Sequence, residues 1–179
     1  MATVTVPKAR STVSTRSGDL EIIIPSRLNY FVVAFLTFWL CGWFAGESSV
    51  IATLLSGKAP AQGAGFMLLW LAGWTVAGCF AASGIGWNLA GRETLWIGHG
   101  EFVRRLAVGP VGWTWRYDLS QVKDLRTAPP PDPWSRRGSW IGRGAIAFDY
   151  GSSTVRIGIG VDEAEAKSLV ETISNRKRW

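Results

Sequence analysis

Residues 28–46 read LNYFVVAFLTFWLCGWFAG and include no charged side chain. These nineteen residues would span about 28 Å as a helix, close to the roughly 30 Å hydrocarbon core of a bilayer. A second uncharged stretch, AGFMLLWLAGWTVAGCFAASGIGWNLA, begins at Ala64 and is long enough to cross with tilt. A polar segment of 27 residues precedes the first stretch, which is not typical of a cleaved signal peptide. The sequence therefore predicts two transmembrane helices, over residues 28–46 and 64–91, joined by a loop over residues 47–63.

The Lys and Arg residues that flank these stretches predict their orientation. Four precede the first stretch, and Arg92, Arg104 and Arg105 follow the second, whereas the loop between them holds only Lys58. The positive-inside rule places such cationic flanks in the cytoplasm. We therefore expect a multi-pass membrane protein with both termini cytoplasmic and the loop external. Neither predicted span contains a charged residue, which argues against a transporter.

Small residues recur at four-residue spacing in both apolar stretches. They are Gly42 and Gly46 in the first stretch, and Gly78, Ala82, Gly86 and Ala90 in the second. This spacing lets helix backbones approach closely, so we expect these residues at a helix–helix contact. The contact joins either the two helices of this chain or one of them and a helix of a partner, and both alternatives stay open.

Four tryptophans lie toward the outer half of the predicted helix pair. They are Trp39, Trp43, Trp70 and Trp74. Tryptophan is common where a helix meets the membrane surface, so the simpler interpretation is an aromatic belt at the outer interface. The alternative is a contact face for another membrane subunit or a pigment.

The remainder of the chain alternates short β-rich runs with turn residues. In residues 92–179, for example, AIAFDY and TVRIGIGV flank Gly151 and Ser152, as in a β-hairpin. Asp162 with Glu165 resembles a capping box, and Ala166, Leu169, Val170 and Ile173 follow at helical spacing, which predicts a helix over residues 162–176. Residues 1–27 also hold two β-like runs, which we expect to form a hairpin that joins this sheet. The alternative for residues 1–27 is an unstructured tail.

Several motifs occur in a fixed order along the chain. They are IPSRLNYF before the first helix, GRETLWI after the second, then RRLAVG, WRYDLSQVKDLR, GAIAFDYGSSTVRIG and DEAEAKSLVETI. From about residue 19 to residue 175 this order resembles a family of uncharacterised bacterial proteins in which two transmembrane helices are followed by a pleckstrin-homology-like (bacterial PH) domain. The resemblance implies a partly open antiparallel β-roll or barrel closed by a C-terminal helix, in a bacterial cytoplasmic (inner) membrane. It implies no activity, because fold and function are separable.

The sequence contains no motif for catalysis or cofactor binding. A Walker A loop, a GxGxxG after a strand, a GxSxG elbow and an HExxH helix are all missing. The two cysteines lie in the apolar stretches and His99 is the only histidine, so no metal-ligand cluster can be assembled. We therefore expect no catalytic residue, no cofactor, no metal, no small-molecule substrate and no nucleic acid. The chain is predicted not to be an enzyme.

Two basic, Trp-containing segments are the candidate contact sites. The residues are Trp134, Arg136, Arg137, Trp140 and Arg143 in a predicted loop, and Arg176, Lys177, Arg178 and Trp179 at the C-terminus. Exposed Trp and Arg are enriched in protein interface hot spots, and clustered cations also attract anionic lipid. These residues therefore predict contact with a partner protein or with membrane lipid.

Two functions are consistent with these features. The first is a non-catalytic accessory or scaffold subunit of a larger membrane complex, of the kind found in respiratory or photosynthetic assemblies, docked through its helices and its PH-like domain. The alternative is a stand-alone membrane-anchored PH-like module that binds anionic lipid headgroups or a cytoplasmic peptide. Their partners would be other integral membrane subunits in the first case and membrane lipids or a peptide in the second.

Overall fold

The computed structural model describes residues 10–16, 18–57, 63–129 and 144–176. The chain divides into a helical unit, Leu28–Leu89, and a β unit built from the residues before and after it. The predicted layout of two long apolar helices, an antiparallel β domain and a C-terminal helix is confirmed.

The helical unit consists of α1 (Tyr30–Leu55) and α2 (Ala64–Ala90). Both helices are long and apolar enough to cross a membrane. The side-chain oxygen of Asn29 caps α1 by accepting from the Val32 backbone N–H at 3.1 Å, and the Asn29 N–H donates to Asn88 Oδ1 of α2 at 3.2 Å. The start of α1 is therefore tied to the last turns of α2.

Helix α1 does not end at Gly46 as predicted, but continues to Leu55. The polar run of Glu47, Ser48 and Ser49 suggested a loop, because polar residues are typical of loops. Residues 50–55 are apolar apart from Thr53 and contain neither Gly nor Pro, so nothing in them breaks the helix. As a consequence Glu47 lies inside a helix rather than in the connection, and α1 does contain a charged residue.

The described residues of the β unit form two antiparallel sheets. The first has the order β1 (Thr12–Arg16), β2 (Asp19–Pro25), β3 (Gly91–Gly98), β4 (Glu101–Val108) and β5 (Val111–Asp118). The second has the order β6 (Val122–Thr127), β7 (Gly144–Tyr150) and β8 (Ser153–Ile159). Helix α3 (Glu163–Arg176) packs against β6 and β7.

In the sequence, the two long helices lie between β2 and β3, which are neighbouring strands of the first sheet. Strands β1 and β2 form a hairpin before α1, and β2 pairs with β3, which follows α2 directly. Pro25 lies opposite Arg92, and the Ser26 N–H donates to the Gly91 carbonyl at 2.9 Å. The sheet therefore combines strands that precede the helical unit in the sequence with strands that follow it.

One core lies between the two sheets and α3. It contains Leu20, Ile22, Ile24, Leu95, Ile97, Phe102, Val122, Ile146, Phe148, Ile157, Val161, Ala166, Leu169 and Ile173. Each fully buried large apolar side chain contributes about 1.5–3 kcal/mol. The apolar stripe predicted on α3 faces this core, with Val170 at its half-buried margin.

Only one of the two hydrogen bonds of the predicted capping box forms at the N-terminus of α3. Asp162 Oδ1 accepts from the Glu165 N–H at 2.8 Å. Glu165 does not complete a capping box, because its Oε1 instead accepts from the backbone N–H groups of Arg10 and Ser11, at 2.9 and 2.7 Å. The buried Glu165 carboxylate therefore holds the start of the N-terminal hairpin against α3.

Candidate functional site

The candidate contact residues of the predicted loop lie outside the described residues. These are Trp134, Arg136, Arg137, Trp140 and Arg143, together with Lys177, Arg178 and Trp179 at the C-terminus. Arg176 is the last residue of α3. The two ends of the loop are held in place: Arg156 Nη1 donates to the Pro129 carbonyl at 2.8 Å, and the Ala128 N–H donates to the Ala145 carbonyl at 2.8 Å. The proposed role of the loop stays a prediction.

A buried ion pair joins the two sheets. Arg104 Nε donates to Glu93 Oε1 at 2.7 Å, and their side chains are only 3% and 1% exposed. Glu93 Oε2 accepts from the N–H groups of Gly158 and Ile159 on β8, at 3.0 and 2.7 Å. The Arg104 guanidinium lies over the Trp115 ring, 5.5 Å from its centroid. Glu93 thus satisfies donors from both sheets, which is what makes a buried carboxylate tolerable.

Beyond this ion pair, the described residues cover the inner face of the β4–β5 hairpin only in part. The cross-strand pairs Leu106–Trp113 and Val108–Val111 share the face of buried Phe102 and half-buried Tyr117. Phe148 of the second sheet covers Phe102 and Tyr117, at centroid distances of 5.1 and 5.3 Å. Further along, Trp113 is 70% exposed and Val111 is 76% exposed. We call Leu106, Val108, Val111 and Trp113 the apolar tip.

The apolar tip lies at the end of the first sheet from which the chain leaves for both long helices. Val111 pairs with Val108, Val108 pairs with Gly91, and Gly91 directly follows α2. Two strand spacings place Val111 about 10 Å from Gly91. Arg92, which is exposed, donates from Nη2 to the Gly109 carbonyl in the turn of the tip at 3.4 Å. An apolar surface and an exposed cation therefore lie at the end of the first sheet where β3 begins.

Sequence reasoning did not single out the apolar tip. The alternation of Trp113, Trp115 and Tyr117 at period two shows that they share one face of a strand. Tyr117 is packed against the core and Trp115 is half-buried under Arg104, whereas Trp113 is exposed. The difference depends on where the second sheet ends, and no local pattern encodes that position.

In the helical unit, the tryptophans gather where α1 faces α2. The indole N–H of Trp43 donates to the Trp74 carbonyl at 2.9 Å, and that of Trp74 donates to the Trp43 carbonyl at 3.3 Å. Trp70 stacks on Trp74 with centroids 4.6 Å apart, and Trp39 lies 6.1 Å from Trp74. These four half-buried rings thus make contacts between and along the helices.

The predicted small-residue positions divide into two groups. Gly78 is buried under the Trp43 ring, where even a methyl group would overlap the indole, and a Cβ at Gly46 would lie 3.9 Å from the Trp74 ring. A Cβ at Gly42 would meet nothing within 4 Å. Ala82 and Ala90 are exposed on α2, and Gly86 is half-buried. Gly78 and Gly46 therefore lie at the contact between α1 and α2, whereas Gly42 and Ala82 are exposed.

An open depression of about 400 Å³ lies on the outer face of the first sheet. Its charged lining is largely paired: His99 Nδ1 lies 3.0 Å from Asp19 Oδ1, and Arg116 Nη1 lies 3.6 Å from Glu101 Oε2. His99 occupies the β3–β4 turn with φ of 51°, as expected for a turn residue. The depression is shallow, and we assign it no role.

The carboxylates of the second sheet pair with a strand cation. Arg126 Nη1 lies 2.6 Å from Asp124 Oδ2 and 3.1 Å from Asp149 Oδ2. Hydrogen bonds from Arg126 and then from Thr154 hold the pKa of Asp149 below its ordinary value. Asp118 has no such ion pair with a described residue, and its pKa is lowered by the hydrogen bonds that it accepts from Ser120.

Within the described ranges, no three His, Cys, Asp or Glu side chains come together as a metal site. Neither the protein-family models nor the curated proteins include a match to this sequence. The candidate functional site is therefore defined by geometry alone: the apolar tip with Arg92, at the end of the first sheet where β3 begins.

Proposed function

We propose that this chain is a non-catalytic accessory subunit of a bacterial cytoplasmic-membrane complex. In this proposal α1 and α2 cross the membrane, both termini and the β domain are cytoplasmic, and the apolar tip docks onto a larger integral membrane subunit. The observation that carries the proposal is the apolar tip, with Val111 and Trp113 exposed, at the end of the first sheet where β3 begins. A partner embedded in the same membrane would meet the β domain at this end.

A PH-like fold for the β domain is part of the proposal. Strands β2–β5 and β6–β8 supply four and three antiparallel strands, and α3 follows the last of them. This arrangement supports a partly open roll closed by a C-terminal helix, with β1 as an additional edge strand. Such a fold serves as a binding platform in many settings, so the docking function is argued from the tip and not from the fold.

The chemistry of the tip supports a protein partner. Trp113 presents a large, rigid ring on a hairpin, and Trp is among the residues most enriched at interface hot spots. Its neighbours Leu106, Val108 and Val111 are aliphatic, which suits the dehydrated centre of an interface. Arg92 at the margin could pair with a carboxylate of the partner at the polar rim.

Co-purification from native membranes in a gentle detergent tests this proposal. Wild type should retain a stoichiometric set of integral membrane subunits, identified by mass spectrometry. Trp113→Ala should weaken the association by about 2 kcal/mol or more, roughly 30-fold in affinity. Val111→Ser is a second test variant in the tip, and Val13→Ser on β1 is its matched control, because both valines are exposed. Equal recovery of partners by all these variants would contradict docking through the tip.

Lipid contact is the second candidate, favoured by two exposed cations close in sequence to the candidate spans. Arg92 and Arg27 are both exposed, and each lies within three residues of a candidate span. Cations near an anionic leaflet contribute about 1 kcal/mol each. A polarity-sensitive fluorophore on Val111→Cys, in the full chain with Cys41 and Cys79 replaced by alanine, reports the environment in nanodiscs. Quenching by lipid-borne quenchers that increases with anionic lipid, and that a Val13→Cys probe does not show, would favour lipid over protein.

A further inference from the structure

Strand β5 is the last strand of the first sheet, and one of its two edges has no neighbouring strand among the described residues. Strand β4 pairs with the other edge over all eight residues of β5. The strand that follows in the sequence, β6, belongs to the second sheet and pairs with β7. We call the unpaired side of β5 the free edge. A strand edge of this kind presents backbone N–H and C=O groups to which a further strand can bind.

The turn between β4 and β5 determines which backbone groups face the free edge. It consists of Gly109, with φ of 58°, and Pro110, and it lies between the paired residues Val108 and Val111. A two-residue turn that begins with a glycine at positive φ is typical of type II′ hairpins. In such hairpins the two flanking residues exchange both of their backbone hydrogen bonds. Val111 therefore directs its N–H and C=O groups toward β4.

Hydrogen-bonded pairs then alternate with non-hydrogen-bonded pairs along the ladder. Trp113 and Trp115 lie two and four residues beyond Val111, so their backbone groups also point toward β4. The N–H and C=O groups of Gly112 and Thr114 point the other way, toward the free edge. No described residue forms a hydrogen bond with the backbone of Gly112 or Thr114 there.

The two sides of the free edge differ in chemistry. On the inner side lie the exposed side chains of Val111 and Trp113, which belong to the apolar tip. On the outer side, Arg105 Nε lies 3.0 Å from the place that a Cβ of Gly112 would occupy, so the Arg105 side chain lies against β5. Arg92 reaches the β4–β5 turn through its hydrogen bond to a turn carbonyl. Neither arginine forms an ion pair with a described residue.

The opposite edge of the first sheet lacks this combination. Strand β1, which forms it, has the sequence TVSTR over Thr12–Arg16, and Val13 is its one apolar side chain. No aromatic side chain accompanies Val13 on this strand. The first sheet therefore has two free edges among the described residues, and only that of β5 is bordered by an apolar surface on one side and by cations on the other.

We propose that an extended segment of the larger membrane subunit binds as an added strand along the free edge of β5. This inference rests on the proposed function and names the way in which the partner is bound. Backbone hydrogen bonds to Gly112 and Thr114 hold the segment, as in other cases of strand addition. Side chains of a strand alternate between its two faces. A segment with alternating apolar and acidic residues places the apolar ones against the apolar tip and the acidic ones beside Arg92 and Arg105.

Amide hydrogen exchange at single-residue resolution tests strand addition in the full chain. The complex purified from native membranes is compared with the same chain after its partner has been removed. In the separated chain the N–H groups of Gly112 and Thr114 should exchange fast, and those of Trp113 and Trp115 slowly. In the complex the first two should exchange about tenfold more slowly or better. Unchanged exchange at both residues, or slow exchange already in the separated chain, would overturn the proposal.

A substitution at the free edge separates strand addition from docking in general. Thr114→Pro removes an N–H group that points away from β4, and proline is tolerated on edge strands at such positions. It should lower recovery of the partner about tenfold, because a carbonyl of the partner loses its donor. Thr114→Val keeps the N–H group and the branched side chain, so recovery should match wild type. Slow exchange of the β4 amides in Thr114→Pro serves as the control for folding.

The outcomes distinguish failure of strand addition from failure of the proposed function. If Trp113→Ala loses the partner while Thr114→Pro retains it, docking through the tip stands and strand addition is overturned. If both variants retain the partner, or if wild type is recovered without a partner, both proposals are contradicted. If Thr114→Pro does not fold, the exchange of wild type with and without its partner still decides.

Discussion

Replacing Glu93 with alanine is expected to lower the free energy of unfolding of the β domain by about 3–5 kcal/mol. The substitution leaves the Arg104 guanidinium, which is 3% exposed, without its carboxylate. It also removes the acceptor of the Gly158 and Ile159 N–H groups, and each buried donor left unsatisfied costs about 1–3 kcal/mol. These costs overlap, because the site can relax and admit water, so the range for a broken buried pair applies rather than the full sum.

Amide hydrogen exchange followed by mass spectrometry provides the assay. Protection should fall most in β8, whose last two residues donate to Glu93, and in β3 and β4, while the N–H groups of α1 and α2 should be unaffected. The double variant Glu93→Leu with Arg104→Met should recover much of the loss, because an apolar pair of similar volume is often as stable as a buried ion pair. A loss below about 1 kcal/mol for Glu93→Ala, or no recovery in the double variant, would refute this reasoning.

Two other predictions concern the helical unit and the second sheet. Gly78→Leu should separate α1 from α2, because Gly78 lies under the Trp43 ring, whereas Gly42→Leu, at an open position, should not. The distance between spin labels on the two helices distinguishes these outcomes. Equal effects of the two substitutions would contradict the packing. Arg126→Gln should raise the pKa of Asp149 toward its ordinary value, as measured by NMR titration. Since the folded pKa is lowered, the stability contributed by this carboxylate is complete above the ordinary Asp pKa and is lost as pH falls through the lowered value; an unshifted titration in the variant would contradict the assignment.

The features that sequence predicts well are those with a local signal. Two long uncharged stretches predicted two apolar helices, and the runs on either side of Gly151 and Ser152 predicted the β7–β8 hairpin. Asp162 predicted the start of α3 because an N-cap needs only an acceptor side chain at one position. Each of these depends on residues within a few positions of one another.

The features that sequence missed depend on contacts between distant segments. Glu47 suggested the end of a helix, yet α1 continues past it to Leu55, and the Thr75 hydroxyl of α2 donates to Glu47 Oε1 at 2.6 Å. Glu93 carries no local sign that it will meet the β8 backbone, which lies 65 residues away. Trp113 is more exposed than Trp115 because the second sheet ends before it reaches Trp113, and the packing of the whole domain sets where that sheet ends.

Site-specific photo-crosslinking in the native membrane tests the proposed docking function most directly. A photoreactive amino acid is placed at position 111 in the apolar tip and, as the control, at position 13 on β1, since both native valines are exposed. Docking through the tip predicts one integral membrane protein crosslinked from position 111, lost when Trp113→Ala is added, and no such product from position 13. Crosslinks to lipid alone from position 111, or the same products from both positions, would contradict it.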